Sequence, residues 1–299
     1  MRGREMTDGW LVTGAAGMLG IDLTRMLGDA GTKSVALDRR ALDITDRHAV
    51  HAAIDDHRPS VVVNCAAWTA VDEAESHETE ATWINGDGAA NVAEACAKIG
   101  ATMLHISTDY VFGGDASTPY AEHDETGPRT AYGRSKLAGE TAVLTTLPDT
   151  GYVVRTAWLY GAHGANFVRT MIRLEGARDT VDVVDDQLGQ PTWTVDLAGQ
   201  VIRLGDAART RTARPGVYHA TNGGACTWFE LARETFRRLG ADPDRVRPTT
   251  SAAFVRPAPR PAYSVLAHDG WRNAGMAPMR DWQTALVDAF PALLAAERG

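Results

Sequence analysis

The chain has 299 residues, 44% of them apolar, and a formal net charge of -8. That suffices for one large domain or for a nucleotide-binding domain with a smaller lobe, and interspersed charge without a basic run excludes nucleic acid as the main partner. No run of about 18 apolar residues exists to span a bilayer, and Cys65, Cys96 and Cys226, an odd and dispersed set without a C-x-x-C pair, read as thiols of a reducing compartment.

The opening MRGREMTDGW sets basic residues before apolar ones, but glycines and Asp22 interrupt the run that follows. No secretion signal is expected, and the first eight or so residues read as a loose extension of a cytosolic protein. Trp10, Leu11, Val12 and Thr13 read as the end of a buried strand. Gly14, Gly17 and Gly20 follow in VTGAAGMLG, and Ile21, Leu23, Met26 and Leu27 recur at helical spacing. Strand, tight turn and helix in this order let the backbone approach a pyrophosphate and offer it the unpaired N–H groups of a helix start. The spacing, G-x-x-G-x-x-G, differs from the G-x-G-x-x-G of many dehydrogenases.

Asp38 closes the second strand, SVALD, where an acidic residue reaches an adenosine ribose. Arg39 and Arg40 follow at once, and guanidinium groups favour a 2′-phosphate, so NAD and NADP are both signalled. The apolar segments SVVVNCAAW, TMLHIS and YVVRTAWLYG then alternate with helical stretches, the rhythm of a doubly wound parallel sheet. Asp72, Glu73 and Glu75 between them read as a solvated helix face, the histidines are dispersed, and no metal is assigned.

Ser107, Thr108 and Asp109 end the TMLHIS strand, on the side where open α/β sheets bind ligands. Tyr132 and Lys136 follow in TAYGRSKLAGE. A spacing of four returns to one helix face, so phenol and ammonium can share a ligand. A tyrosine ordinarily titrates at about 10, and a neighbouring cation is expected to lower that value and make the phenol a usable acid. Beside a dinucleotide these residues form a reduction site. Hydride reaches a carbonyl carbon, Tyr132 protonates the oxygen, Thr108 orients it, and Lys136 lowers the phenol and reaches the ribose.

From Asn166 the pattern becomes irregular. Helices are expected over FVRTMIRLEG, TVDLAGQVIRLG and Trp228 to Leu239, with a polar strand-like stretch, TVDVVDDQLGQPTW, among them. In AAFVRPAPRPAYS, Pro257, Pro259 and Pro261 forbid a regular helix, and the segment from Asp281 to Leu294 is amphipathic. The expected class is α/β, a doubly wound Rossmann-like parallel sheet with a smaller C-terminal α/β substrate lobe. Residues 1–165 form the dinucleotide-binding domain and 166–299 mainly the lobe, with later segments free to return to the first domain.

The glycine loop, NCAAWTAVDEAE, STDYVFGG, TAYGRSKLAGE and RTAWLYG stand in one order, followed by DDQLGQPTW and RPAPRPAYSVL. Over nearly its full length the chain resembles the extended short-chain dehydrogenase/reductases and, within them, the dTDP-4-dehydrorhamnose reductase family. The resemblance implies reduction of a dTDP-ketosugar with NADPH, or NADH as the alternative. It implies that Gly17, Met18 and Leu19 hold the pyrophosphate, that Asp38, Asp43 and Ile44 approach the adenosine, and that Ala67, Trp68 and Thr69 line the cofactor cleft. Trp68 replaces a smaller aromatic or a histidine. Thr108, Tyr132 and Lys136 match the catalytic trio, Asp109 and Trp158 face the sugar nucleotide, and Asn166, Gln190 and Arg260 fall in substrate-lobe blocks. Family members that dimerise leave a homodimer open. Two rivals remain: a 4-ketoreductase of another dTDP-6-deoxyhexose, and a non-catalytic nucleotide-binding regulatory subunit. A 4,6-dehydratase is disfavoured, since Tyr110 stands where its glutamate is expected.

Overall fold

The computed structural model describes residues 6–298. Part of the expected loose extension, residues 1–5, lies outside the described residues, while Thr7 is tied down by its amide, which donates to the Arg58 carbonyl at 2.8 Å.

The first half runs β1 (Trp10–Thr13), α1 (Met18–Asp29), β2 (Ser34–Leu37), α2 (Arg47–His57) and β3 (Val61–Asn64). Short helices α3 (Val71–Ala74) and α4 (Glu78–Thr82) and a π-helical turn (Trp83–Asp87) lead into α5 (Gly88–Ile99). Then come β4 (Thr102–Thr108), α6 (Ala131–Thr146) and β5 (Gly151–Thr156). The second half holds β6 (Leu159–Tyr160), α7 (Phe167–Ala177), β7 (Val181–Val184), β8 (Leu188–Gly189), β9 (Thr192–Trp193) and α8 (Thr194–Arg209). It closes with β10 (Gly216–His219), β11 (Cys226–Thr227), α9 (Trp228–Arg238), β12 (Val246–Thr249), α10 (Asp269–Asn273) and α11 (Trp282–Arg298).

Six strands form one parallel sheet in the order β10-β5-β4-β3-β1-β2. Strands β1, β3 and β5 are buried throughout, as a sheet covered on both faces requires. Alternation along β1 divides the core. Trp10 and Val12 face a cluster with Leu23 and Leu27 of α1 and Leu197, Val201 and Leu204 of α8. Leu11 faces the opposite cluster with Ile54 of α2, Val92 and Cys96 of α5 and Val143 of α6.

Two late elements, α8 and β10, therefore complete the first sheet and its cover, while α7, α9 and α11 pack around Val168, Leu231, Trp282 and Leu286 to build the other lobe. The stretch TVDVVDDQLGQPTW is not one strand. It divides into β7, β8 and β9, paired respectively with β12, β11 and β6. Asp185 and Asp186 break it, because their carboxylates accept from the hydroxyls of Thr227 and Ser251 at 2.6 and 2.7 Å.

Candidate active site

The carboxyl ends of β1, β3, β4 and β5 open onto a cleft of about 780 Å³, whose far wall is supplied by Gln187, Trp228, Arg260 and Pro261. Its first end is the glycine turn. Gly14 has φ +63°, and a Cβ there would lie 2.6 Å from the Ala66 amide nitrogen. A Cβ on Gly20 would meet the Gly14 carbonyl oxygen at 2.5 Å. Only a chain without side chains can fold this tightly, and the result presents the start of α1, where Gly17 provides no side-chain cap, to the cleft. Gly14, Gly17, Met18 and Leu19 line it, as do Arg39, Asp43 and Ile44 further out.

Asp38 does not line this cleft. Its Oδ1 accepts from the amides of Arg40 and Ala41, both at 2.9 Å, so one carboxylate oxygen closes its own turn, and Arg39 borders the site instead. Asp43 is likewise held, by the amide and hydroxyl of Thr45, which with Arg39 keep its carboxyl below the usual range.

In mid-cleft, Ala67, Trp68 and Thr69 face Thr108, Asp109, Tyr132 and Lys136. Asn85 fixes the Trp68 backbone, accepting from its amide at 2.8 Å and donating to its carbonyl at 3.1 Å. Helix α6 starts with Thr130 accepting from the Gly133 amide at 3.0 Å, and Glu75 accepts from the Ala131 amide at 2.9 Å. Gly133 and Gly139 let it press against neighbouring backbone, since a Cβ on either would come within 2.2 Å of the Tyr110 carbonyl or 2.3 Å of the Asn85 carbonyl. This contact buries Lys136 to 2% exposure.

The expected effect of Lys136 on the phenol is not what the geometry gives. Lys136 Nζ donates to the Ile106 carbonyl at 2.6 Å and lies 3.4 Å from His105 Nε2. The groups that act on Tyr132 are others: burial drives its phenol well above the ordinary value, a hydrogen bond with Thr108 lowers it, and Asp109 raises it. Burial also brings Lys136 down to about 8, against Glu140, which favours its charged form. Thr108 bridges the set, with its hydroxyl donating to Asp109 Oδ1 at 2.9 Å. Burial pushes Asp109 up to about 6, countered by Ser264 and Thr108. Its Oδ2 is buried without a geometrically sound partner, as is the Ser264 hydroxyl.

Trp158 lines the cleft with φ +48°, a conformation rare for a side chain of this size. Its ring is stacked on Trp228 at 3.5 Å and 8°, and the bare Cα of Gly189 makes room behind it, where a Cβ would lie 2.5 Å from Trp158 Cε2. Two expected substrate residues lie elsewhere. Asn166 caps α7, accepting from the Arg169 amide at 3.1 Å. Gln190 is 2% exposed and accepts from the Leu266 amide and the Thr221 hydroxyl. The cleft glutamine of that block is Gln187, whose Oε1 accepts from Trp228 Nε1 at 3.1 Å. Sequence reading passed over Gln187 and Trp228; the Thr227-x-x-Glu230 capping box, which starts α9 at Trp228, is the local signal that fixes the second. The acidic cluster of Asp72, Glu73 and Glu75 also resolves: Asp72 pairs with Arg260, Glu75 caps α6, and Glu73 is exposed.

A family model described as the RmlD substrate binding domain matches residues 9–294. A dTDP-4-dehydrorhamnose reductase from Streptomyces griseus is 61% identical over 95% of this chain and 93% of its own length. The chain belongs to the dTDP-4-dehydrorhamnose reductase family. A family relative from Streptomyces niveus, named dTDP-4-keto-6-deoxy-D-glucose reductase, is 56% identical over 98% of this chain and all of its own. The crystal structure of the Bacillus anthracis dTDP-4-dehydrorhamnose reductase in complex with NADP superimposes with a TM-score of 0.90, at 38% identity, over 96% of this chain and 99% of that one. Rossmann-like reductase architecture is thus common to the chain and its family.

Proposed function

We propose that this protein reduces the C4 ketone of dTDP-4-dehydro-6-deoxy-L-mannose to dTDP-L-rhamnose with NADPH. The observation that carries the reading is the convergence of Thr108, Asp109, Tyr132 and Lys136 in one cleft with a glycine cradle at its end. That cradle, a turn so tight that a Cβ on Gly14 or Gly20 would strike backbone, fits a pyrophosphate, and Arg39, which lines the cleft, fits a 2′-phosphate better than Asp38, which does not, fits a ribose hydroxyl. NADPH is therefore preferred over NADH, and the Bacillus anthracis relative is seen in complex with NADP. When bound, the cofactor supplies hydride to the carbonyl carbon.

The chain's own groups manage the oxygen. A phenol held protonated by burial is a proton store across the physiological range, and Tyr132 gives that proton to the developing alkoxide. Thr108, whose hydroxyl rests on Asp109, turns that donor to the phenolate as the charge forms, through the contact that already lowers the phenol. Lys136, fixed on the Ile106 carbonyl where it borders the cleft, donates to the ribose, and the phenolate regains its proton from solvent through the open cleft. Trp158 and Asp109 bound the sugar, and Arg260 the diphosphate. No helix among the described residues is long and apolar enough to cross a bilayer. Three unpaired cysteines suit the cytosol.

The 56% identity to a reductase named for a D-gluco ketosugar favours one second reading, a 4-ketoreductase of another dTDP-6-deoxyhexose. Incubating the protein and NADPH with each ketosugar separately, and identifying products by NMR, separates the two. The expected result is dTDP-L-rhamnose from the L-manno substrate at the higher kcat/KM; faster turnover of the D-gluco substrate selects the second reading, and no turnover of either contradicts both.

A further inference from the structure

The acidic residue Asp72 has a task that the site as described leaves out. It sits in α3, beneath the cofactor-side wall, yet its carboxylate is taken up by the Pro-rich segment that follows β12. Arg260 Nη1 donates to Asp72 Oδ1 at 2.9 Å and Nη2 to Asp72 Oδ2 at 2.8 Å, while Nη1 also donates to the Ala258 carbonyl at 2.9 Å. The Ala258 amide closes the arrangement by donating to Asp72 Oδ1 at 3.2 Å. A second anchor lies at Gly114, with φ +80°, where a Cβ would come within 2.6 Å of Pro261 Cβ and whose carbonyl accepts from the Tyr263 amide at 3.1 Å. The segment therefore crosses from the substrate lobe to the sheet domain and is pinned there.

A guanidinium carries five donors in one rigid plane. Asp72 and Ala258 use three of them, all on Nη1 and Nη2. The side edge, made by Nε–H and the remaining Nη2–H, points away from Asp72, and Arg260 borders the cleft. Such an edge matches two oxygens of a phosphate in parallel. Charge agrees with this orientation. Arg256 also approaches Asp72, at 3.8 Å, so the segment brings two guanidiniums to one carboxylate.

The geometry points to Asp72 as a positioning residue that holds Arg260 edge-on to the diphosphate of the nucleotide sugar. This rests on the proposed substrate class and adds to it the device that fixes its charged middle. Asp72 touches neither substrate nor cofactor; removing it leaves Arg260 charged but free to rotate, so the effect falls on binding of the diphosphate and not on the chemical step.

The test is calorimetric titration of the NADP-saturated protein with dTDP and, separately, with thymidine, alongside steady-state kinetics. Asp72→Ala is expected to weaken dTDP on the order of tenfold, the scale of one bidentate charge-assisted contact, with thymidine affinity, kcat and the KM for NADPH unchanged and the KM for the nucleotide sugar raised. Arg260→Lys keeps a cation for Asp72 but has no planar edge, so the same loss is expected from a protein whose fold is least disturbed. Exchanging the pair, Asp72→Arg with Arg260→Asp, is expected to restore the thermal midpoint but not dTDP affinity; recovery of both means that the ion pair is only a fastening between lobes and overturns the proposal. Unchanged or tighter dTDP binding by Asp72→Ala overturns it as well, provided the native protein reduces the ketosugar. A native protein that binds no dTDP removes the functional reading itself, and this inference with it.

Discussion

Asp109 and Lys136 are both buried, and each is held away from its ordinary protonation range by burial before anything else. For Lys136, at about 8 against an ordinary 10.5, the folded chain gives up the proton first, so the ammonium costs stability in full below pH 8 and the cost is relieved as pH rises toward 10.5. For Asp109, at about 6 against 3.8, the folded chain keeps its proton longer, so stability falls as pH rises from 3.8 through 6. Above that window the ionised carboxylate is a net burden that only function justifies. Asp109→Asn is therefore expected to raise the unfolding free energy by roughly 1–3 kcal/mol at pH 7.5, to leave it nearly unchanged at pH 3.5, and to lower turnover. Urea titrations at the two pH values check this; equal effects at both, or destabilisation at pH 7.5, contradict it. The i, i+4 relation of Tyr132 and Lys136 was legible from spacing alone. What each side chain bonds to was not, because the Ile106 carbonyl and His105 arrive from β4 and claim Lys136, while Thr108 reaches the phenol.

Among the elements, those with a strong period were readable. Strand β1 with its glycine turn and α1, and helices α7 to α9, follow from apolar spacing and turn chemistry, because their buried residues recur with the period of the element itself. The segment from Val181 to Trp193 was not: the break between β7 and β8 is held by Asp185 and Asp186, which accept hydrogen bonds from Thr227 and Ser251, and the break between β8 and β9 falls at Pro191, beside a Gln190 side chain engaged by Thr221 and Leu266, all partners far away in sequence. The same segment supports Trp158 through Gly189. Trp228 stacks on the indole and Gly189 lies against its Cε2 edge, so its position is set by both. Gly189→Ala is expected to cost about 1–3 kcal/mol, the scale of overpacking at a tight contact, and to raise the KM for the nucleotide sugar more than the KM for NADPH. Denaturant unfolding and steady-state kinetics read both; a neutral variant means that Trp158 is not wedged.

On the scale of the whole molecule, alternating strands and helices announced a parallel sheet, but not which late segments rejoin it. Strand β10 pairs with β5 residue for residue from Gly216 with Tyr152 to His219 with Arg155, and α8 covers the Trp10 face. Neither follows from local pattern, since VYHATNG carries no mark of its partner. The return of these elements places β5 inside the sheet, so that Thr156 and Trp158 emerge beside Thr108 at its carboxyl edge, and it ties the substrate wall to the strands that hold the catalytic trio. The central claim joins those parts: hydride crosses from a cradle-bound cofactor to a ketosugar whose oxygen takes its proton from Tyr132. It is tested most directly by supplying NADPH carrying deuterium at both C4 positions of the nicotinamide, with dTDP-4-dehydro-6-deoxy-L-mannose, to the native protein and to Tyr132→Phe, with the product read by NMR and mass spectrometry. The account predicts dTDP-L-rhamnose with one deuterium at C4 from the native protein and a rate at least about 100-fold lower from the variant; unlabelled product, or a variant as fast as the native protein, contradicts it.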